Sequence, residues 1–113
     1  MTPTEKARRG ILSPALKKAA RAENVAAEAL AKRVADGSVV IPFNPRHAPA
    51  RPAAIGQGLR TKVNVNLGTS RDFPRLADEL AKLKVSLANG ADAVMDLSTG
   101  GDLRRIRRTI LAR

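Results

Sequence analysis

Residues 61–102 read TKVNVNLGTSRDFPRLADELAKLKVSLANGADAVMDLSTGGD. Val63, Val65 and Leu67 alternate with Asn64 and Asn66, the two-residue period of a strand with one apolar face, and Gly68 ends it. Ser70 or Asp72 can cap the helix that follows, and Pro74 sits near its start. Leu76, Leu80, Leu83 and Leu87 recur at helical spacing and predict a buried stripe on a helix reaching about Ala88, with Asn89–Gly90 as its stop. Ala93–Leu97 is the next strand, Ser98–Gly101 a turn, and Asp102 the cap of a last helix over Leu103–Ala112. There Leu103, Ile106, Ile110 and Leu111 are expected to face inward. Strands alternating with single helices favour a parallel sheet. A parallel pair needs neighbours, so the stretch is expected to open a larger β/α enzyme.

Upstream, residues 1–10 read as a polar lead-in. Ser13–Pro14 is a helix start, with Ser as cap and Pro at the first helical position. Ala15–Glu23 and Ala26–Asp36 follow as an αα-hairpin that Asn24 interrupts and Gly37 ends. Ser38–Pro42 is a short strand. Phe43–Arg60, rich in Pro, Gly and Ala, reads as a loop that contains His47. The organisation expected is an N-terminal helical and loop segment over 1–60, then β-α-β-α units over 61–113.

At 113 residues the chain is at most one domain and far short of the about 250 residues of an eight-stranded β/α barrel. Phe43 and Phe73 are its only aromatics. The net charge of +11 raises the possibility of a nucleic-acid partner. The excess is spread over both halves without interleaved aromatics, so there is no base-stacking platform, and nucleic acid is not the expected ligand. Without cysteine, this chain can supply no disulfide, thiolate nucleophile or cysteine-ligated cluster. The single His47 cannot build a zinc site alone. No apolar run approaches the about 20 residues of a membrane span, and the N-terminus lacks a signal core, so a cytoplasmic protein is expected.

In parallel β/α folds, sites form at the carboxyl ends of strands. Two asparagines on one strand face are costly to bury without partners, so at least one of Asn64 and Asn66 is expected to face a ligand. On the second strand, alternation sets Met95 and Leu97 opposite Asp96 and Ser98. Sequence alone does not say which pair faces the site, and methionine by itself is most simply core filler. Ser98–Gly101 ahead of a helix is a weak anion-cradle signal. Asp78 and Glu79 read as helix-surface residues, and no nucleophile–base pair or catalytic residue is identified.

KVNVNLGTS followed by GADAVMDLSTGGDL resembles the phosphomethylpyrimidine synthase (ThiC) family. The segments ARRGILSPALKKAARAENV, RVADGSVVIPFN and IGQGLRTKVNVN extend the resemblance over nearly the whole chain. It implies the N-terminal part of a TIM-type (β/α)8 barrel enzyme, truncated here, with an N-terminal helical hairpin ahead of the first β/α units. It further implies a radical S-adenosylmethionine lyase that converts aminoimidazole ribonucleotide into the hydroxymethylpyrimidine phosphate of thiamine. A 4Fe-4S cluster on three C-terminal cysteines and a histidine-bound zinc are implied for the whole enzyme, expected as a homodimer, with all their ligands outside these residues. Two substrate-binding positions carry over: Asn66, from the family's N-x-N-I-G pattern, and Met95, from V-M-D-L-S-T-G. The resemblance thus moves Met95 from core filler to site lining. Val65 replaces the usual alanine, Thr69 marks the shorter type of member, and Phe43 and Pro45 break the family's P-A-N-x-N-H loop, so no role passes to His47. A hydroxybenzimidazole synthase paralogue, using the same substrate, fits these residues equally. A non-catalytic basic interaction protein is the third reading, and the 113 residues alone are expected to be inactive.

Overall fold

The computed structural model describes residues 1–44, 46 and 51–113, in two compact units, Met1–Thr61 and Lys62–Arg113. Pro45 and His47 lie outside the described residues. The architecture is mixed α/β, with five helices and two two-stranded sheets among the described residues. None of these strands closes into a barrel. No helix among the described residues is long and apolar enough to cross a membrane.

The first unit begins with helix α1 (Pro3–Arg8), where a polar lead-in was expected. Thr2 Oγ1 accepts from the Glu5 amide at 3.2 Å, and the Glu5 carboxylate accepts from the Thr2 amide at 2.7 Å. This capping box, with Pro3 in the first turn, was present in the sequence as T-P-T-E. Helix α2 (Pro14–Ala22) starts as the sequence implies, with Ser13 Oγ accepting from the Leu16 amide. It ends near Asn24, the single non-glycine residue at positive φ among the described residues. Helix α3 (Ala27–Asp36) stops at Gly37, whose φ of 88° is the left-handed conformation of a C-terminal cap. α3 packs against both α1 and α2, so the expected hairpin is a three-helix layer.

Leu16, Leu30 and Val34 are at most 1% exposed and meet Val39 in the centre of this unit. Each such leucine contributes about 1.5–3 kcal/mol by leaving water. Strand β1 (Val39–Val40) pairs antiparallel with β2 (Ile55–Gly56), a strand hidden inside the stretch read as loop. At Gly56 a Cβ would lie 2.2 Å from the Ser38 carbonyl oxygen, so the pairing requires a residue without a side chain.

The second unit is a β-α-β-α run. Strands β3 (Asn64–Leu67) and β4 (Ala93–Asp96) pair in parallel, with Asn64 opposite Ala93 and Leu67 opposite Asp96. Helix α4 (Leu76–Ala88) connects them and packs against β3. Its start differs from the expected one. Arg75 occupies the cap position and its side chain makes no capping hydrogen bond, while Ser70 Oγ accepts from the Phe73 amide in the turn before it. Its buried positions are Glu79 and Leu83, and Leu87, expected inside, is half exposed. Helix α5 (Leu103–Leu111) is capped by Asp102, which accepts from the Arg105 amide at 3.0 Å. Ile106 is its buried anchor, whereas Leu111 points outward at 59% exposure. Leu103 and Ile110 are partly buried on either side of Ile106.

Candidate functional site

Alternation along β3 and β4 sorts their residues onto two faces. Leu67 is buried, and Val65, Val94 and Asp96 are partly covered, on the face that α4 and α5 occupy. Asn64 and Asn66 are exposed on the other face. So are Met95, at 50%, and Leu97, just past the strand, at 53%. The alternative left open by sequence therefore resolves: Met95 and Leu97 share the open face with the asparagines, and Asp96 and Ser98 turn toward the helices. Among the described residues Met95 is half exposed.

Asn66 and Met95 are register partners. Neighbouring strands run about 4.8 Å apart, so these two residues stand side by side on the uncovered face. Asn64 Nδ2 donates to Asn66 Oδ1 at 3.1 Å. The Asn66 oxygen thus has an internal partner, which directs its amide N–H groups toward open space.

The carboxyl ends of both strands are held by a dense polar joint. The Leu97 amide donates to Leu67 O at 2.7 Å, extending the ladder past the strands. The Thr69 amide donates to Ser98 Oγ at 3.1 Å, and Thr69 Oγ1 donates to Gly100 O at 2.6 Å. The Thr99 amide returns a bond to Thr69 O at 2.8 Å. Thr69 and Ser98 are both buried. A Cβ on Gly68 would meet Ser98 N at 2.5 Å, and one on Gly100 would meet Ser70 O at 2.2 Å. The two glycines let the loop backbones touch. The amides of Ser98 and Thr99 are committed to Asp96 Oδ1 and Thr69 O, so the anion cradle read from Ser98–Gly101 has two of its donors already in use.

Asp96 anchors this joint to α5. Burial raises the pKa of its carboxyl, but the Ser98 hydroxyl and amide and the Arg107 guanidinium more than offset that, and the net shift is downward. Arg107 Nε lies 3.2 Å from Asp96 Oδ2. The role of Asp96 in this arrangement is to join β4 to α5.

Glu79, read from sequence as a surface residue, is 3% exposed. Its Oε2 accepts from the Gly68 amide at 2.7 Å, and its Oε1 pairs with Lys82 Nζ at 2.6 Å. A carboxylate from α4 thus grips the end of the strand that carries Asn66. The signal was legible: Glu79 lies three residues after Leu76 and four before Leu83, on the stripe that faces the sheet. Among the described residues no group of three or more His, Cys, Asp or Glu is placed to hold a metal ion.

Comparison with known proteins adds identity to this geometry. Residues 2–113 match the model of the Radical SAM ThiC family. The chain is 54% identical over 113 residues to phosphomethylpyrimidine synthase of Moorella thermoacetica, covering 100% of this chain and 26% of that protein. It is 48% identical over 111 residues to the enzyme of the same name from Desulfitobacterium hafniense, and likewise 48% over 111 residues to that of Pyrococcus furiosus. Each of those matches covers 98% of this chain and 26% of the relative. The chain thus spans about a quarter of the length of the curated relatives it matches.

Proposed function

This chain belongs to the Radical SAM ThiC family, and we propose that it forms the N-terminal part of a phosphomethylpyrimidine synthase. On this reading the whole enzyme, a cytoplasmic homodimer, converts aminoimidazole ribonucleotide into 4-amino-5-hydroxymethyl-2-methylpyrimidine phosphate for thiamine synthesis. Residues 1–60 precede the barrel, and the β3-α4-β4-α5 run is the opening of a (β/α)8 barrel whose lumen is the open face of the two strands. Asn66 donates hydrogen bonds to the substrate, and Met95 packs against it. The observation that carries the reading is the side-by-side placement of Asn66 and Met95 on the face that no helix among the described residues of this unit covers.

S-adenosylmethionine, a 4Fe-4S cluster and a zinc ion belong to the activity so proposed. This chain has no cysteine, and its described residues hold no metal-ligand cluster. They do not fit either metal group. What these residues contribute is a polar and apolar pair for binding, on a strand end fixed by Glu79, Thr69 and Ser98.

The test is an anaerobic assay of the complete enzyme with aminoimidazole ribonucleotide, S-adenosylmethionine and a reductant. Hydroxymethylpyrimidine phosphate is the expected product. Hydroxybenzimidazole in its place would assign the chain to the cobamide-ligand paralogue, and turnover of neither kind would overturn the proposal.

A further inference from the structure

We infer that Asn64 is a positioning residue, which fixes the Asn66 amide so that the group Asn66 recognises is a hydrogen-bond acceptor. The inference rests on the reading of Asn66 as a substrate contact and goes beyond it in naming a second residue and the polarity of the contact. An asparagine side chain offers an oxygen on one side and two N–H groups on the other, and a half-turn exchanges them. Free on an exposed strand, it presents either. Here Asn64 Nδ2 donates to Asn66 Oδ1 at 3.1 Å. The two residues are i and i+2 on one strand, so they share a face without help from any other element. With its oxygen engaged by Asn64, Asn66 keeps its two N–H groups for a ligand, and it stands in register with Met95.

Val65, between them, lies on the partly covered face. The Gly68 amide is held by Glu79 at 2.7 Å, which fixes the strand end two residues beyond Asn66. The donor at Asn66 is thus pre-aimed, and a ligand does not have to order it on binding.

The experiment is a double-mutant cycle in the complete enzyme, read as the dissociation constant for aminoimidazole ribonucleotide, with the unfolding midpoint as a control. Asn66→Ala is expected to weaken binding roughly tenfold, and Asn64→Ala roughly threefold to tenfold. In the double variant the Asn64 change should add almost nothing, because a positioning residue has no effect once its target is gone. The unfolding midpoint should stay put, since neither side chain belongs to the packed face of β3. Fully additive effects, or an Asn64→Ala enzyme that binds normally while Asn66→Ala is impaired, would overturn the inference and leave the substrate contact standing. Normal binding by Asn66→Ala would instead remove the substrate reading itself. A complementary readout needs no activity. Asn66→Asp keeps the acceptor for Asn64 but presents oxygen outward, and it should lose at least as much affinity as Asn66→Ala. Retained affinity in that variant would show that the recognised group is a donor.

Discussion

Replacing Glu79 with alanine should loosen the end of β3 and cost the second unit about 2–4 kcal/mol. The magnitude follows from three parts. The Glu79 carboxylate accepts from the Gly68 amide at 2.7 Å while 3% exposed, and a charged hydrogen bond of this kind contributes about 1.5–3 kcal/mol. Truncation also strands the Gly68 N–H between α4 and the sheet. That penalty, about 1–3 kcal/mol, overlaps with the first and does not simply add to it. The Lys82 partner is 52% exposed, so its ion pair contributes at most about 1 kcal/mol. Asp78→Ala is the internal control. That neighbour pairs with Arg75 at 3.3 Å with both side chains more than half exposed, so its loss should fall within about 0.5 kcal/mol. Urea unfolding followed by circular dichroism reads the difference, and hydrogen exchange at the Gly68 amide reads the site directly. Glu79→Ala should speed that exchange, and Glu79→Gln, which keeps an acceptor oxygen, should recover part of the protection. Equal unfolding midpoints for the Glu79 and Asp78 variants, with Gly68 exchange unchanged, would refute the assigned role.

Gly68→Ala places a Cβ 2.5 Å from Ser98 N and should destabilise by at least the about 1–3 kcal/mol of an overpacked site, seen as a lower urea midpoint. Leu30→Ala, at a position 1% exposed, should cost about 2–5 kcal/mol, while Leu87→Ala, at a half-exposed one, should stay near the threshold of detection in the same assay. For Asp96 the folded pKa lies below the ordinary aspartate value. Its stabilisation is therefore fully present above the ordinary aspartate range and is lost as pH falls through the folded value. Midpoints measured from pH 6 downward should fall less steeply in Asp96→Asn than in the parent.

Local signals carried most of the second unit. The Val65-Leu67 alternation, the Asp102 cap and the Asn89–Gly90 stop depend on neighbours within a few residues, and the parallel pair followed from their order; Val63, expected on the same apolar face, precedes β3 and is exposed. Helix α1 was equally local, and T-P-T-E at its start specified it; the polar composition of residues 1–10 masked that signal. The departures elsewhere are non-local. β2 exists because Ile55–Gly56 meets Val39–Val40, which no window around residue 55 reveals. Glu79 falls on the helical stripe of Leu76 and Leu83, but its charge argued for water, and the Gly68 amide that holds it inside lies eleven positions earlier. Leu87 and Leu111 keep the helical period yet lie half exposed or more, and spacing alone does not tell a covered turn from an open one. At the site, alternation paired Asn64 with Asn66, but the choice of Met95 over Asp96 as their companion required knowing which face α4 covers.

Affinity of the complete enzyme for aminoimidazole ribonucleotide, measured by calorimetry for the parent, Asn66→Ala and Met95→Ala, probes the open face of β3 and β4 most directly. Each substitution should weaken binding about tenfold, the loss of one hydrogen bond or of one packed side chain, with the unfolding midpoint unchanged. Parental affinity in both variants would contradict the assignment of that face to the substrate.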